Sequence, residues 1–169
     1  MIRIEKTYLI KSLPGDYKSK KHSKIEQCYL IDSPDACRIR KKDGLHSITR
    51  KLLAVPGDLS IRDYYDFPIS AEEFKVIWSF AKSKLTKNRY YYETNFNYEL
   101  RIDEFEGALK GLYLAELVIF EETQKESFVP LEWLGPEVTN YDWVYNQFLS
   151  QKKFSEINDL IKSLETGTK

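Results

Sequence analysis

The 169-residue sequence is poor in the residues that build soft-metal and redox sites. It holds two cysteines, Cys28 and Cys37, outside any CxxC pair, and two histidines, His22 and His46. That excludes a zinc ribbon or a disulfide framework and leaves any bound metal to oxygen ligands. No long apolar run is present: the opening MIRIEKTYLIKSLPG mixes charged and apolar residues, so it reads neither as a signal peptide nor as a membrane span. The cytoplasm is the expected location, with no membrane partner. Charge of one sign is also missing, since 26 basic residues face 26 acidic ones and leave no net charge. A nucleic-acid binder normally carries a basic surplus, so none is expected here. Without an internal repeat or a low-complexity linker, residues 1–164 read as one domain and 165–169 as a flexible tail.

What the chain does have is β-pattern. Runs rich in Ile, Tyr, Val, Leu and Phe recur at 2–10, 25–32, 36–42, 45–54, 60–68, 87–94, 96–105 and 112–120. Pro34-Asp35, Asp43-Gly44 and Pro56-Gly57-Asp58 mark short turns between them. Ser70 followed by Glu73 predicts a capping box for a helix over 71–84, with Phe74, Ile77, Trp78 and Ala81 on one face. Helical spacing returns at 141–149 and 153–164. The expected fold is α+β and mainly β: an eight-stranded, closed antiparallel barrel or tunnel with flanking helices and a C-terminal helix.

Residues two apart on a strand share a face, and here those shared faces are charged. Arg3 pairs in this way with Glu5, Arg38 with Arg40, Lys87 with Arg89 and Arg101 with Asp103, while Arg62 and Asp66 lie four apart. Lys51 and Glu116 stand singly on further strands. One such strand would read as a solvated outer face. Seven strands patterned alike suggest instead a wet interior, because mixed charge inside a fold is costly unless it is paired or bound to a ligand. Eight of these residues are cations and four are anions, so the guest is expected to be an anion, and forked arginine donors suit phosphate oxygens.

Several short stretches then resemble the CYTH, or triphosphate tunnel metalloenzyme, family in order along nearly the whole chain. Arg3-Ile4-Glu5-Lys6-Thr7 resembles its N-terminal Glu-x-Glu-x-Lys strand, and Arg38-Ile39-Arg40 its paired-arginine strand. Thr49-Arg50-Lys51, Arg62 to Ile69, Lys87-Asn88-Arg89-Tyr90, Ile102 to Gly107, Leu114 to Val118 and Trp133 to Thr139 are similar to the segments that follow. The resemblance implies binding, and possible hydrolysis, of inorganic tripolyphosphate, thiamine triphosphate or a nucleoside triphosphate. The implied phosphate-binding residues are Arg38, Arg40, Lys51, Arg62, Lys87 and Arg89. The implied catalytic carboxylates are Glu5, Asp103 and Glu116, which with Asp66 would hold Mg or Mn.

The sequence departs from that pattern where the acids should be. Arg3 and Arg101 replace expected acidic positions, Tyr64 and Val118 replace two more, and Thr7 replaces the first-strand lysine. Two readings stand at this point: a metal-dependent triphosphatase working with fewer acids, or a polyphosphate- or nucleotide-binding sensor in which fixed arginines supply charge that a metal would provide.

Overall fold

The computed structural model describes residues 2–30, 37–55, 58–94, 98–121 and 128–165, excluding the side chains of 2, 3, 51, 53–55, 58–62 and 165. Two expected turns, Pro34-Asp35 and Pro56-Gly57, and the tail at 166–169 therefore lie outside the described residues.

The chain forms β1 (Ile2–Ile10), β2 (His22–Tyr29), β3 (Cys37–Lys42), β4 (Leu45–Val55), β5 (Asp58–Pro68), α1 (Ala71–Phe80), β6 (Ser83–Thr94), β7 (Tyr98–Phe105), β8 (Tyr113–Ile119), β9 (Leu134–Glu137), α2 (Asn146–Leu149) and α3 (Phe154–Glu165). Every strand pairing is antiparallel, in the order β5-β4-β3-β2-β6-β7-β8-β1-β9. The fold is thus α+β and mainly β, but the sheet has nine strands where eight were expected. A simple closed ring is also replaced by a forked margin. One flank of β1 meets β8, while the other is divided between β5, at Ile2–Ile4, and β9, at Tyr8 and Ile10.

The β3–β4 hairpin turns at Asp43 and Gly44, both with positive φ (50° and 83°), a backbone that suits the twist of a two-residue hairpin. The capping box at α1 forms as expected, with Ser70 Oγ accepting from the Glu73 amide and Glu73 accepting from the Ser70 amide. That helix stops at Phe80 and not at 84, because Ala81 turns to extended backbone and Ser83 already begins β6. The expected helix over 141–149 is instead a 3-10 turn at Asp142–Val144 followed by the one-turn α2. α3 lies where the three- and four-residue spacing placed it. No described helix is long and apolar enough to cross a membrane.

Registers assign each residue to one of two faces. On the outer face, Ile39 and Cys28 are buried under Phe74 of α1, while Ile4, Leu100, Ala115 and Leu117 pack with Leu134 of β9. The inner face is charged along its middle and turns apolar at one end. There Leu9, Leu85, Phe105 and Leu114 share the parity of Glu5, Lys87, Asp103 and Glu116, and they pack against Val138, Trp143, Val144, Leu149 and Ile157. The C-terminal segment is therefore a stopper set into one end of the sheet's concave side.

Candidate functional site

Above that stopper lies a small polar cavity of about 50 Å³ that opens to solvent. Its lining brings together Glu5 of β1, Arg38 and Arg40 of β3, Asp66 of β5, Lys87 and Arg89 of β6 and Glu116 of β8. Alternation places them there: Ile39, between the two β3 arginines, is fully buried on the other face. Asp103 is 4% exposed and lies behind Lys87 and Arg89. The side chains of Lys51 and Arg62, like that of Arg3, lie outside the described residues.

Four lining residues were not candidates on sequence grounds: Ile25, Gln27, Tyr64 and Asn146. Gln27 shares a face with Ile25, so its parity was readable once β2 was in register with β3 and β6. Asn146 fell within the stretch 141–149 read as helical, with no role in the site assigned to it. It opens α2 and accepts a hydrogen bond from Lys87 Nζ at 2.8 Å, tying the stopper to the charged wall.

The β6–β7–β8 wall answers its own charges. Asp103 accepts from Lys87 Nζ at 2.6 Å and from Arg89 Nε and Nη2, both at 2.7 Å. Glu116 lies 2.8 Å from Arg89 Nη2 and accepts from Arg101 Nη1 at 2.9 Å, and Arg101 also donates to Glu99. Burial alone would raise the Asp103 carboxyl, but Arg89 and Lys87 overcome it and hold the group below its usual range. Burial pushes the Lys87 ammonium down to about 8 against the opposing pull of Asp103.

The β3 side differs. Arg38 donates through Nη2 to Thr49 Oγ1, but Nε of both Arg38 and Arg40 is buried with no hydrogen-bond partner among the described residues. Arg38 first, then burial, then Arg89 push Arg40 down to about 9 from 12.5. A guanidinium stays charged at neutral pH, so this depression measures an unmet demand for negative charge.

No protein-family model matches the chain. It is 28% identical over 143 residues to an inorganic triphosphatase of Nitrosomonas europaea, spanning 82% of this chain and 90% of that protein. That similarity agrees with the family resemblance carried by the sequence. Its fold agrees with the crystal structure of the inorganic triphosphatase NE1496 at a TM-score of 0.64 and 22% identity, covering 89% of this chain and 95% of that one. It also agrees with the PH1012 protein of Pyrococcus horikoshii OT3 at a TM-score of 0.55 and 18% identity, covering 73% and 82%.

The four carboxylates expected to hold Mg or Mn are not gathered into a metal site: among the described residues no three acidic, histidine or cysteine side chains converge as metal ligands. Asp103 is held by Lys87 and Arg89, and Glu116 by Arg89 and Arg101. Asp66 accepts from Thr49 Oγ1. Tyr64 sits against Glu5, and burial and then that carboxylate push the tyrosine hydroxyl well above its usual range. A divalent cation needs several carboxylate, water or phosphate oxygens on one centre, so this donor set does not fit a ready-made metal site.

Proposed function

We propose that the cavity binds a linear triphosphate and that the protein hydrolyses its phosphoanhydride, with inorganic triphosphate as the first candidate substrate. One observation carries the reading: two arginines on the same face of β3 present buried Nε donors, unpartnered among the described residues, to a polar cavity already crowded with cations. A buried donor without an acceptor costs roughly 1–3 kcal/mol, and a polyanion supplies acceptors and offsets the repulsion together. The inorganic triphosphatase relative narrows the anion to a triphosphate.

The β1–β5 register supports reading the eight strands β1 to β8 as a tunnel around this site, with β9 outside the ring. In this reading Arg38 and Arg40, with Lys51 and Arg62, hold the non-bridging oxygens of the chain. Lys87 and Arg89 extend the positive wall toward the stopper. Asp103 and Glu116 fix Lys87, Arg89 and Arg101 in place, and Glu5 lines the same space. Water adds to the terminal phosphorus while the anhydride P–O bond breaks, releasing orthophosphate and diphosphate. Fixed guanidiniums stabilise the charge that spreads over the transferred group and the leaving oxygen. The cytoplasm fits the free thiols of Cys28 and Cys37.

The test is release of orthophosphate from tripolyphosphate, assayed with magnesium, with manganese and with neither. Release that is lost in Arg40→Ala supports the reading. Absence of release from tripolyphosphate, thiamine triphosphate and ATP under all three conditions overturns the catalytic part.

A further inference from the structure

The carboxylates around the cavity differ in chemistry from those of a waiting metal site. Glu116 is bracketed by two guanidiniums, Arg89 at 2.8 Å and Arg101 at 2.9 Å, through the same Oε2 atom. For that oxygen to turn to a divalent cation, both charge-assisted contacts would have to be given up in a largely buried setting, where they are stronger than in bulk water. Asp103, 4% exposed, is committed to three donors on Lys87 and Arg89. Asp66 accepts from Thr49 Oγ1, and Glu5 lies against the buried Tyr64. Meanwhile Arg101 lines the cavity and is itself positioned from two sides, by Glu99 on its own strand face and by Glu116 across the β7–β8 register. A cation fixed in this way is paired with Glu116, one of the carboxylates expected to hold a metal.

We infer that Arg101 serves as a built-in substitute for a divalent cation, so that this chain binds triphosphate without needing magnesium or manganese. The inference rests on the triphosphate reading and sharpens it by stating how the anion's charge is met. Arg101 is here a positioning and charge-supplying residue for the bound anion. Its guanidinium cannot lose its charge at working pH, whereas a metal's occupancy varies with supply.

Calorimetric titration of tripolyphosphate into the full chain, in excess chelator and in saturating magnesium, tests this. The expected result is binding in chelator with a Kd no weaker than in magnesium, within about threefold. Arg101→Gln should weaken the chelator-condition affinity by about tenfold, with magnesium unable to restore it while Arg89 still holds Glu116. Arg101→Lys, which keeps the charge, should retain most of the metal-free affinity. Wild-type binding that requires magnesium, or tightens by about tenfold or more with it, overturns this inference and leaves the triphosphate reading standing. No binding in either condition overturns both.

Discussion

Two walls of one cavity carry nearly the same residue types and differ in what answers them. On β6–β7–β8, Lys87, Arg89 and Arg101 are met by Asp103, Glu116 and Glu99. On β3, Arg38 and Arg40 bury Nε donors with no partner among the described residues. On the first wall each cation already has a carboxylate partner, so its geometry is fixed whether or not a ligand is present. The second is incomplete alone, and its arginines cost stability until an anion arrives. Buried charge is thus held by the protein's own acids on one side and left open to a ligand on the other, and composition alone does not separate them.

The most severe way to break this contrast is to remove the acid that organises the paired wall. Asp103→Ala leaves Lys87 and Arg89 buried without it, and loss of one partner of such a pair costs about 3–5 kcal/mol. Chemical denaturation should register that loss directly. Arg40→Ala should do the reverse: triphosphate affinity falls by about 10- to 100-fold, as expected for a charge-assisted contact, while the unliganded protein is as stable as wild type or slightly more so. Equal destabilisation by the two substitutions would erase the distinction.

Proton linkage sharpens it further. Lys87 is held at about 8, below the ordinary lysine value of 10.5. The unfolded chain therefore binds more protons between pH 8 and 10.5. The cost of the buried ammonium is fully present below pH 8, and this group's contribution to stability rises with pH across that window. Triphosphate affinity should move the other way and fall as pH rises through about 8, since the wall loses a positive charge. Paired melting and binding curves over pH 7–10 check the opposed slopes. The smallest effect is reserved for a site remote from both walls: Ser70→Ala removes the α1 cap, costing about 1 kcal/mol in denaturation and leaving triphosphate affinity unchanged.

Much of this was legible in the chain. Charged residues at i and i+2 placed Arg38, Arg40, Lys87 and Arg89 on one face because a strand's period of two is geometric. The division between paired and unpaired walls was not legible, since it depends on cross-strand registers such as Arg89 opposite Asp103 and Arg101 opposite Glu116. The stopper was hidden for another reason. Leu85, Phe105 and Leu114 have the parity of the charged residues, so alternation alone would send them to the same polar face. β9 was missed because its four residues include Gly135 and Pro136, which weaken strand signals and suit only an edge. A Cβ at Gly135 would lie 3.0 Å from the Leu9 carbonyl oxygen, a tight contact that favours glycine there.

The central claim is most directly tested at the two buried Nε–H groups themselves. With arginine side chains labelled by nitrogen-15 and assigned through Arg38→Lys and Arg40→Lys, the Nε–Hε resonances can be followed as tripolyphosphate is added. The account predicts that both shift and become slower to exchange with solvent at one equivalent of ligand. Saturation by tripolyphosphate with both resonances unmoved would contradict it.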